Sequence, residues 1–211
     1  VRGKVFYTKT GELTIFVMDY MVLAKSLHPL PEKWHGLTDR DERYRRRYLD
    51  LLVNPASKEK IFIRAKLIKE LRRFLDDKGF LEIDTPILQP LYGGAFAKPF
   101  KTYYDALDRE YYLRISDELY LKRLIIAGFD KVYEFGKDFR NEGIDRFHSP
   151  EFLQLELYAA YWDYNDVMNF VEEMFEHLKD KLKDTLRFDD KEVKISTPFK
   201  RLKFFDLLGV Y

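Results

Sequence analysis

Cysteine is absent from the 211 residues, which excludes disulfides, thiolate zinc sites and cysteine nucleophiles. Glutamine is nearly absent: Gln89 and Gln154 are the only two. Scarce amide and thiol side chains beside a charged fraction of 35% are what heat selection tends to leave, so a thermophilic source is expected, with a highly charged mesophilic protein as the alternative. An excess of either charge is missing too. The 37 Lys plus Arg against 36 Asp plus Glu give a net charge of +1, which argues against a globally basic nucleic-acid coat but leaves room for a local patch. Apolar runs are short: Leu119 to Phe129 is interrupted by Lys122 and Arg123 and cannot span a bilayer. The opening Val1-Arg2-Gly3-Lys4-Val5-Phe6 has no charged-then-apolar leader, and its non-Met start fits a processed or cut chain. A cytoplasmic protein without membrane contact is the expectation. No GxGxxG, no Lys-Ser/Thr after Gly93-Gly94 and no GxSxG elbow occurs, and His28, His35, His148 and His177 lack metal-ligand spacing.

What is present suffices for a core. At 46% hydrophobic and 17% aromatic, the chain fits one substantial domain, or one with a small appendage. Residues 3 to 23 read as a β-hairpin, with Lys9-Thr10-Gly11-Glu12 as its turn. A lone hairpin is marginal in water, so it either packs on later elements of the chain or is the remnant of a larger sheet. Pro29, Pro31, Trp34 and Gly36 mark a linker. Arg40, Arg43, Arg45, Arg46 and Arg47, interleaved with acids, form either a solvated helical face or an RNA-contacting patch.

Asn54-Pro55 predicts a helix start, and Ile61, Ala65, Ile68, Leu71 and Leu75 recur at helical spacing up to Asp76-Asp77-Lys78-Gly79. Phe80 to Ile83 predicts a strand ending at Thr85-Pro86, because proline cannot donate to a ladder. Tyr111 to Ile115 predicts another strand, after which Ser116 can cap a helix stopped by Gly128. Val132 to Arg140 and Glu151 to Ala159 predict two strands joined by the 141–150 loop, followed by an amphipathic helix over Asp163 to Leu182. The mixture predicts an α+β fold rather than a doubly wound parallel sheet.

Those two strands hold the chemistry. With period two, Leu153, Leu155 and Leu157 face a core, while Phe152, Gln154, Glu156 and Tyr158 share the other face. Glu134, Asp138 and Arg140 share one face of the preceding strand. If the polar faces coincide, an arginine, carboxylates, a tyrosine and a phenylalanine converge. The alternative is the solvent face of a half-exposed antiparallel sheet. For a site, phenylalanine is a platform for a flat ring, and arginine's planar donors suit phosphate oxygens. His148 on the loop could add a second anion contact.

Phe139-Arg140-Asn141-Glu142, His148 and Pro150-Glu151-Phe152 with Leu155-Glu156-Leu157-Tyr158 resemble motif 2 of the class II aminoacyl-tRNA synthetases. The helix and strand ending at Thr85-Pro86 resemble motif 1. Arg43 to Leu51, Gly93-Gly94-Ala95, Pro99-Phe100 and Glu118 to Leu124 are similar to the lysyl branch of that class. The resemblance covers nearly the whole chain.

It implies an antiparallel sheet flanked by helices and preceded by a partial OB-fold hairpin. In domains, it implies residues 1–28 as the end of an anticodon-binding barrel, 29–56 as linker and 57–211 as the first part of a catalytic domain. The implied activity is ATP-dependent activation of lysine to lysyl-adenylate and transfer to tRNA(Lys). Arg140 then matches the residue bridging the α-phosphate and the substrate carboxylate, Glu142 the adenine-amine contact, Phe152 the adenine stack and His148 an outer-phosphate contact. Gly94, Glu118, Arg140, Glu156 and Tyr158 match the lysine-binding set. Two positions depart: Phe147 stands where a phosphate-binding arginine is usual, with Arg146 one place earlier, and Asp117 replaces a proline. Motif 3, the Mg2+ ligands and a further lysine-pocket carboxylate are expected beyond Tyr211. A homodimer through motif 1 is implied. A non-enzymatic dimerisation or tRNA-binding module and a paralog lysylating a protein are the alternatives.

Overall fold

A computed structural model describes residues 1–30, 37–145, 147–182, 187–188, 191–192 and 194–209. Linker residues Pro31, Trp34 and Gly36, together with Arg146, lie outside the described residues. The chain divides into two units, Val1–Phe62 and Ile63–Tyr211.

In the first unit, β1 (Arg2–Tyr7) pairs antiparallel with β2 (Leu13–Asp19), Val5 opposite Ile15. The predicted turn is there, with Thr8 Oγ1 accepting from the Glu12 amide at 3.0 Å. No hairpin residue is buried. The arginine-rich stretch forms two short helices, α1 (Arg40–Arg45) and α2 (Arg47–Val53). Asp39 caps α1 by accepting from the Glu42 amide at 2.8 Å. The arginines are mostly paired within the segment. Arg45 meets Asp41 and Arg46 meets Glu42 at i,i+4, while Arg43 and Arg47 converge on the buried Asp50 at 2.8 and 2.9 Å. A hydrogen bond from Asn54 at 2.6 Å, with those from Arg43 and Ser57, holds the Asp50 carboxyl well below the usual carboxylate range. This acid-paired arrangement is that of a solvated helical face rather than a free basic patch.

Helix α3 (Pro55–Asp77) contains the boundary between the units. The expected stripe is covered only in its second half: Ile61 and Ala65 are exposed, Ile68 and Leu71 partly buried, Phe74 and Leu75 buried. In the second unit, β3 (Leu81–Glu82) pairs parallel with β7 (Lys131–Phe139), which pairs antiparallel with β8 (Glu151–Ala159). Strands β4 (Leu88–Gln89), β5 (Lys101–Tyr104) and β6 (Arg109–Leu113) form a second, antiparallel sheet in the order β4-β6-β5. Strands β4 and β5 were not foreseen, being short and lacking clean alternation. Helix α4 (Glu118–Ile126) ends as predicted at Gly128, whose φ of +96° is the left-handed value glycine tolerates.

Helix α5 (Tyr164–Leu182) starts one residue late because Asp163 is its cap: Oδ1 accepts from the Asn165 and Asp166 amides, and Asp166 Oδ2 accepts from the Asp163 amide. The pairs β9 (Arg187–Phe188) with β10 (Lys191–Glu192) and the short α6 (Phe204–Leu208) complete the chain. The core gathers Phe74 and Leu75 of α3, Phe80, Tyr133 of β7 and Phe170 of α5, with Phe135, Leu155, Leu157, Trp162 and Met174 packed on it. One face of the β7–β8 pair is thereby fixed inward, and the polar face turns the other way.

Candidate active site

The register of β7 and β8 sets Glu134 opposite Glu156, Gly136 opposite Gln154 and Asp138 opposite Phe152. The polar faces therefore coincide. They are not a solvent face: Glu134 is 2% exposed and Asp138 is fully buried. What buries them is Arg114, at the end of β6, whose guanidinium lies 2.7 Å from Glu134, 3.0 Å from Asp117 and 3.4 Å from Asp138. The Arg114 side chain also donates to the Thr85 carbonyl at 3.1 Å and the Lys137 carbonyl at 2.9 Å. A Cβ on Gly136 would lie 2.6 Å from the Asp117 carboxylate, so only glycine leaves room for this cluster.

Sequence reasoning missed Arg114, because a lone arginine after a strand gives no local sign of burial. Three carboxylates around one guanidinium cannot all ionise cheaply. Burial, then the Asp138 charge, pushes the Asp117 carboxyl up to about 8, and burial raises Asp138 as well.

At the 139–152 end, Arg140 lies over the Phe152 ring, its guanidinium carbon 5.0 Å from the centroid, and its Nε and Nη2 donate to the Ile115 carbonyl at 3.4 Å. Arg140, Glu142, His148 and Phe152 line one cavity of about 350 Å³ with Gly143, Phe147 and Ser149. His148 is oriented by Asp145, which was not singled out from sequence. Its Oδ2 is 2.6 Å from His148 Nδ1, and its Oδ1 accepts from the Phe147 and His148 amides. Those amide and ring contacts hold the Asp145 carboxyl below its ordinary value. A larger cavity of about 780 Å³ lies between α5 and residues 199–203, but it gathers none of the predicted site residues.

At the other end, Glu118, Glu156 and Tyr158 come together. Glu156 Oε1 accepts from Ser116 Oγ at 2.9 Å and Gln154 Nε2 at 2.6 Å. Burial raises the Glu156 carboxyl, with Asp138 and Glu118 adding repulsion against the opposing Ser116 bond. Burial likewise raises the Tyr158 phenol, helped by Glu156 and Glu118. Lys122 Nζ donates to Glu118 Oε1 at 2.7 Å and lies 5.7 Å from the Tyr158 ring centroid. A primary ammonium of the chain itself thus rests on two of the predicted amine ligands. Gly94, with φ of +86°, sits where a Cβ would be 2.8 Å from Ser116 Oγ and Glu118 Cβ, pressing its backbone against the start of α4. The expected cap is modified: Asp117 occupies the cap position without a side-chain bond, and Ser116 Oγ accepts from the Glu118 amide at 3.2 Å.

Among the described residues, no three His, Cys, Asp or Glu side chains are grouped to hold a metal. The buried acids are organised around the Arg114 guanidinium rather than as a donor set for an ion. No helix among the described residues is long and apolar enough to cross a membrane.

A buried arginine–carboxylate cluster thus lies beneath one polar strand face, on mixed α and β structure with antiparallel sheets. Residues 39–210 match the class II tRNA synthetases (D, K and N), and the chain belongs to that family. It is 57% identical over 210 residues to a lysine–tRNA ligase of Aquifex aeolicus (strain VF5), covering 99% of this chain and 35% of that protein. It is 52% identical over 213 residues to a lysine–tRNA ligase of Clostridium botulinum (strain Langeland), covering 100% of this chain and 42% of that protein. A lysine–tRNA ligase of Carboxydothermus hydrogenoformans is 52% identical over 204 residues, 96% of this chain and 42% of its own. The chain spans well under half the length of these relatives.

Proposed function

We propose that the chain is the motif 1 and motif 2 part of a lysine–tRNA ligase. The observation that carries this reading is the single face of β7 and β8 that joins Arg140 and Phe152 to Glu156 and Tyr158. Four residue steps along the strand run from Phe152 to Glu156, about 13 Å at roughly 3.3 Å per residue. That span suits an extended substrate pair with an aromatic base at one end, a phosphate between and an ammonium at the other. The Lys122 ammonium on Glu118 and Tyr158 supports a cationic substrate over an acidic or amide one.

In the reaction, a lysine carboxylate oxygen bonds to the α-phosphorus of ATP as the bond to the bridging oxygen breaks, releasing pyrophosphate and forming lysyl-adenylate. A ribose hydroxyl oxygen of the terminal adenosine of tRNA(Lys) then bonds to the lysyl carbonyl carbon as the bond to the phosphate oxygen breaks, releasing AMP and a proton. Arg140 neutralises charge on the α-phosphate and steers the carboxylate, Phe152 stacks on adenine, Glu142 accepts from its amine, and His148, held by Asp145, contacts the outer phosphates. Glu118, Glu156, Tyr158 and the Gly94 backbone hold the two ammonium groups. Mg2+ would come from ligands elsewhere in the protein.

Residues 1–28, whose strands have neither face covered, are the end of an OB-fold anticodon-binding barrel. Residues 29–56 are a linker and 57–211 the start of the catalytic domain. The protein is a cytoplasmic homodimer, and its charge-rich composition supports a thermophilic source.

The test is lysine-dependent ATP–pyrophosphate exchange in the full-length ligase. Arg140→Ala is expected to lower exchange by about 10²–10³-fold, the scale of one preorganised charge-stabilising donor. An unchanged rate discards the role of Arg140. A non-enzymatic module would give no exchange even in the wild type.

A further inference from the structure

Glu156 is held asymmetrically. Its Oε1 takes two donors, Ser116 Oγ and Gln154 Nε2, whereas its Oε2 is buried and has no hydrogen-bond partner among the described residues. A carboxylate oxygen buried without a donor is costly, so this atom marks where a cation would be bound most favourably. Ser116 is 2% exposed, and the Gly94 backbone confines it from the other side. A hydroxyl has one proton and two lone pairs. The Glu118 amide is itself a donor to Ser116 Oγ, so the hydroxyl proton is left for Glu156.

Resting on the lysine reading above, we propose that Ser116 is a positioning residue for substrate recognition. It pins Oε1 of Glu156, leaving Oε2 as the acceptor for the substrate ammonium, and through the Glu118 amide it ties the second amine ligand to the same point. Gln154 is the other half of this clamp, contributed by β8 rather than by the start of α4.

Ser116 also stands at a helix start, so loss of stability alone would not separate positioning from capping. The experiment is steady-state ATP–pyrophosphate exchange in the full-length ligase for wild type, Ser116→Ala and Gln154→Leu. The second substitution leaves the α4 start untouched. Each variant is expected to raise the lysine KM about tenfold, the scale of one hydrogen bond to a charged group, with the ATP KM unchanged.

The pH profile supplies a readout that capping would not move. The Ser116 bond favours the ionised Glu156, so its loss should shift the acid limb of lysine kcat/KM to higher pH. Exchange with an unchanged lysine KM, with parallel changes in both KM values, or with an unmoved acid limb overturns the positioning role and leaves the ligase reading standing. No lysine-dependent exchange in the wild type overturns the ligase reading and this inference with it.

Discussion

Asp117 and Asp138 concentrate the electrostatic tension of the molecule. Both are fully buried, and neither carboxylate makes a well-aligned hydrogen bond among the described residues, although Arg114 Nε is 3.0 Å from Asp117. Glu134, by contrast, accepts from Arg114 at 2.7 Å and from the Thr85 hydroxyl at 2.6 Å. The aspartate pair retains a proton, with Asp117 pushed up to about 8. An acid whose pKa is higher folded than unfolded binds more protons in the native state. Its stability contribution is complete below the unfolded value of 3.8 and is lost as pH rises to about 8. The slope is at most about 1.4 kcal/mol per pH unit for one proton. Asp117→Asn keeps the shape and removes that titration. Urea unfolding between about pH 5 and 8 should fall with pH for the wild type and stay flatter for the variant. Parallel curves would mean that the pair does not hold the proton.

Among the elements, Phe80 joins the end of α3 to the sheet. It is 4% exposed, with ring centroids 5.7 Å from Trp162 and 5.2 Å from Phe170. Phe80→Ala would open a cavity between two helices and cost about 3–5 kcal/mol. That is much of the ~5–15 kcal/mol that holds an ordinary domain together, so the urea midpoint should fall steeply with little change in slope. A loss under about 1 kcal/mol would place the core elsewhere.

The strands on which this core rests were legible in sequence, because nine-residue runs in β7 and β8 alternate cleanly and their polar residues fell on one face as expected. Strand β3 was legible from Phe80 to Ile83, whereas β4 has only two residues, too few for any periodicity to speak, and β5 lacks clean alternation. Arg114, Asp117 and Asp145 were not legible as site supports. Their function lies in partners 3 to 24 residues away that only the fold brings near, as with Asp117 at Arg114 and Glu134 across from the end of β6. Composition could say that acids were plentiful, but not that three of them would share one buried guanidinium.

For the molecule as a whole, the stretch from β3 into the loop after β4 exposes more apolar surface than a finished surface usually leaves. Leu81 is 48% exposed, Ile87 and Leu88 41%, Leu91 71% and Tyr92 47%. Scattered exposed apolar residues need no explanation, but five within twelve positions, including Leu81 on edge strand β3 and Leu88 on edge strand β4, make a candidate for association. A two-fold contact uses the same patch on both copies, and a stable one buries about 800 Å² on each. The resemblance to motif 1, which ends at Thr85-Pro86, takes in Leu81 and adjoins the rest of this stretch, so the homodimer proposal and the exposed surface meet at the end of motif 1. Sedimentation of the 211-residue chain should therefore give a concentration-dependent dimer. Leu81→Asp with Ile87→Asp should shift it to monomer, because each would bury a carboxylate at the contact without a partner. Far-UV circular dichroism should stay unchanged, since both side chains already face solvent in the single chain. A double variant that remains dimeric would move the interface away from motif 1, and a wild type that stays monomeric up to about millimolar concentration, where even a Kd of about 1 mM would be visible, would remove it.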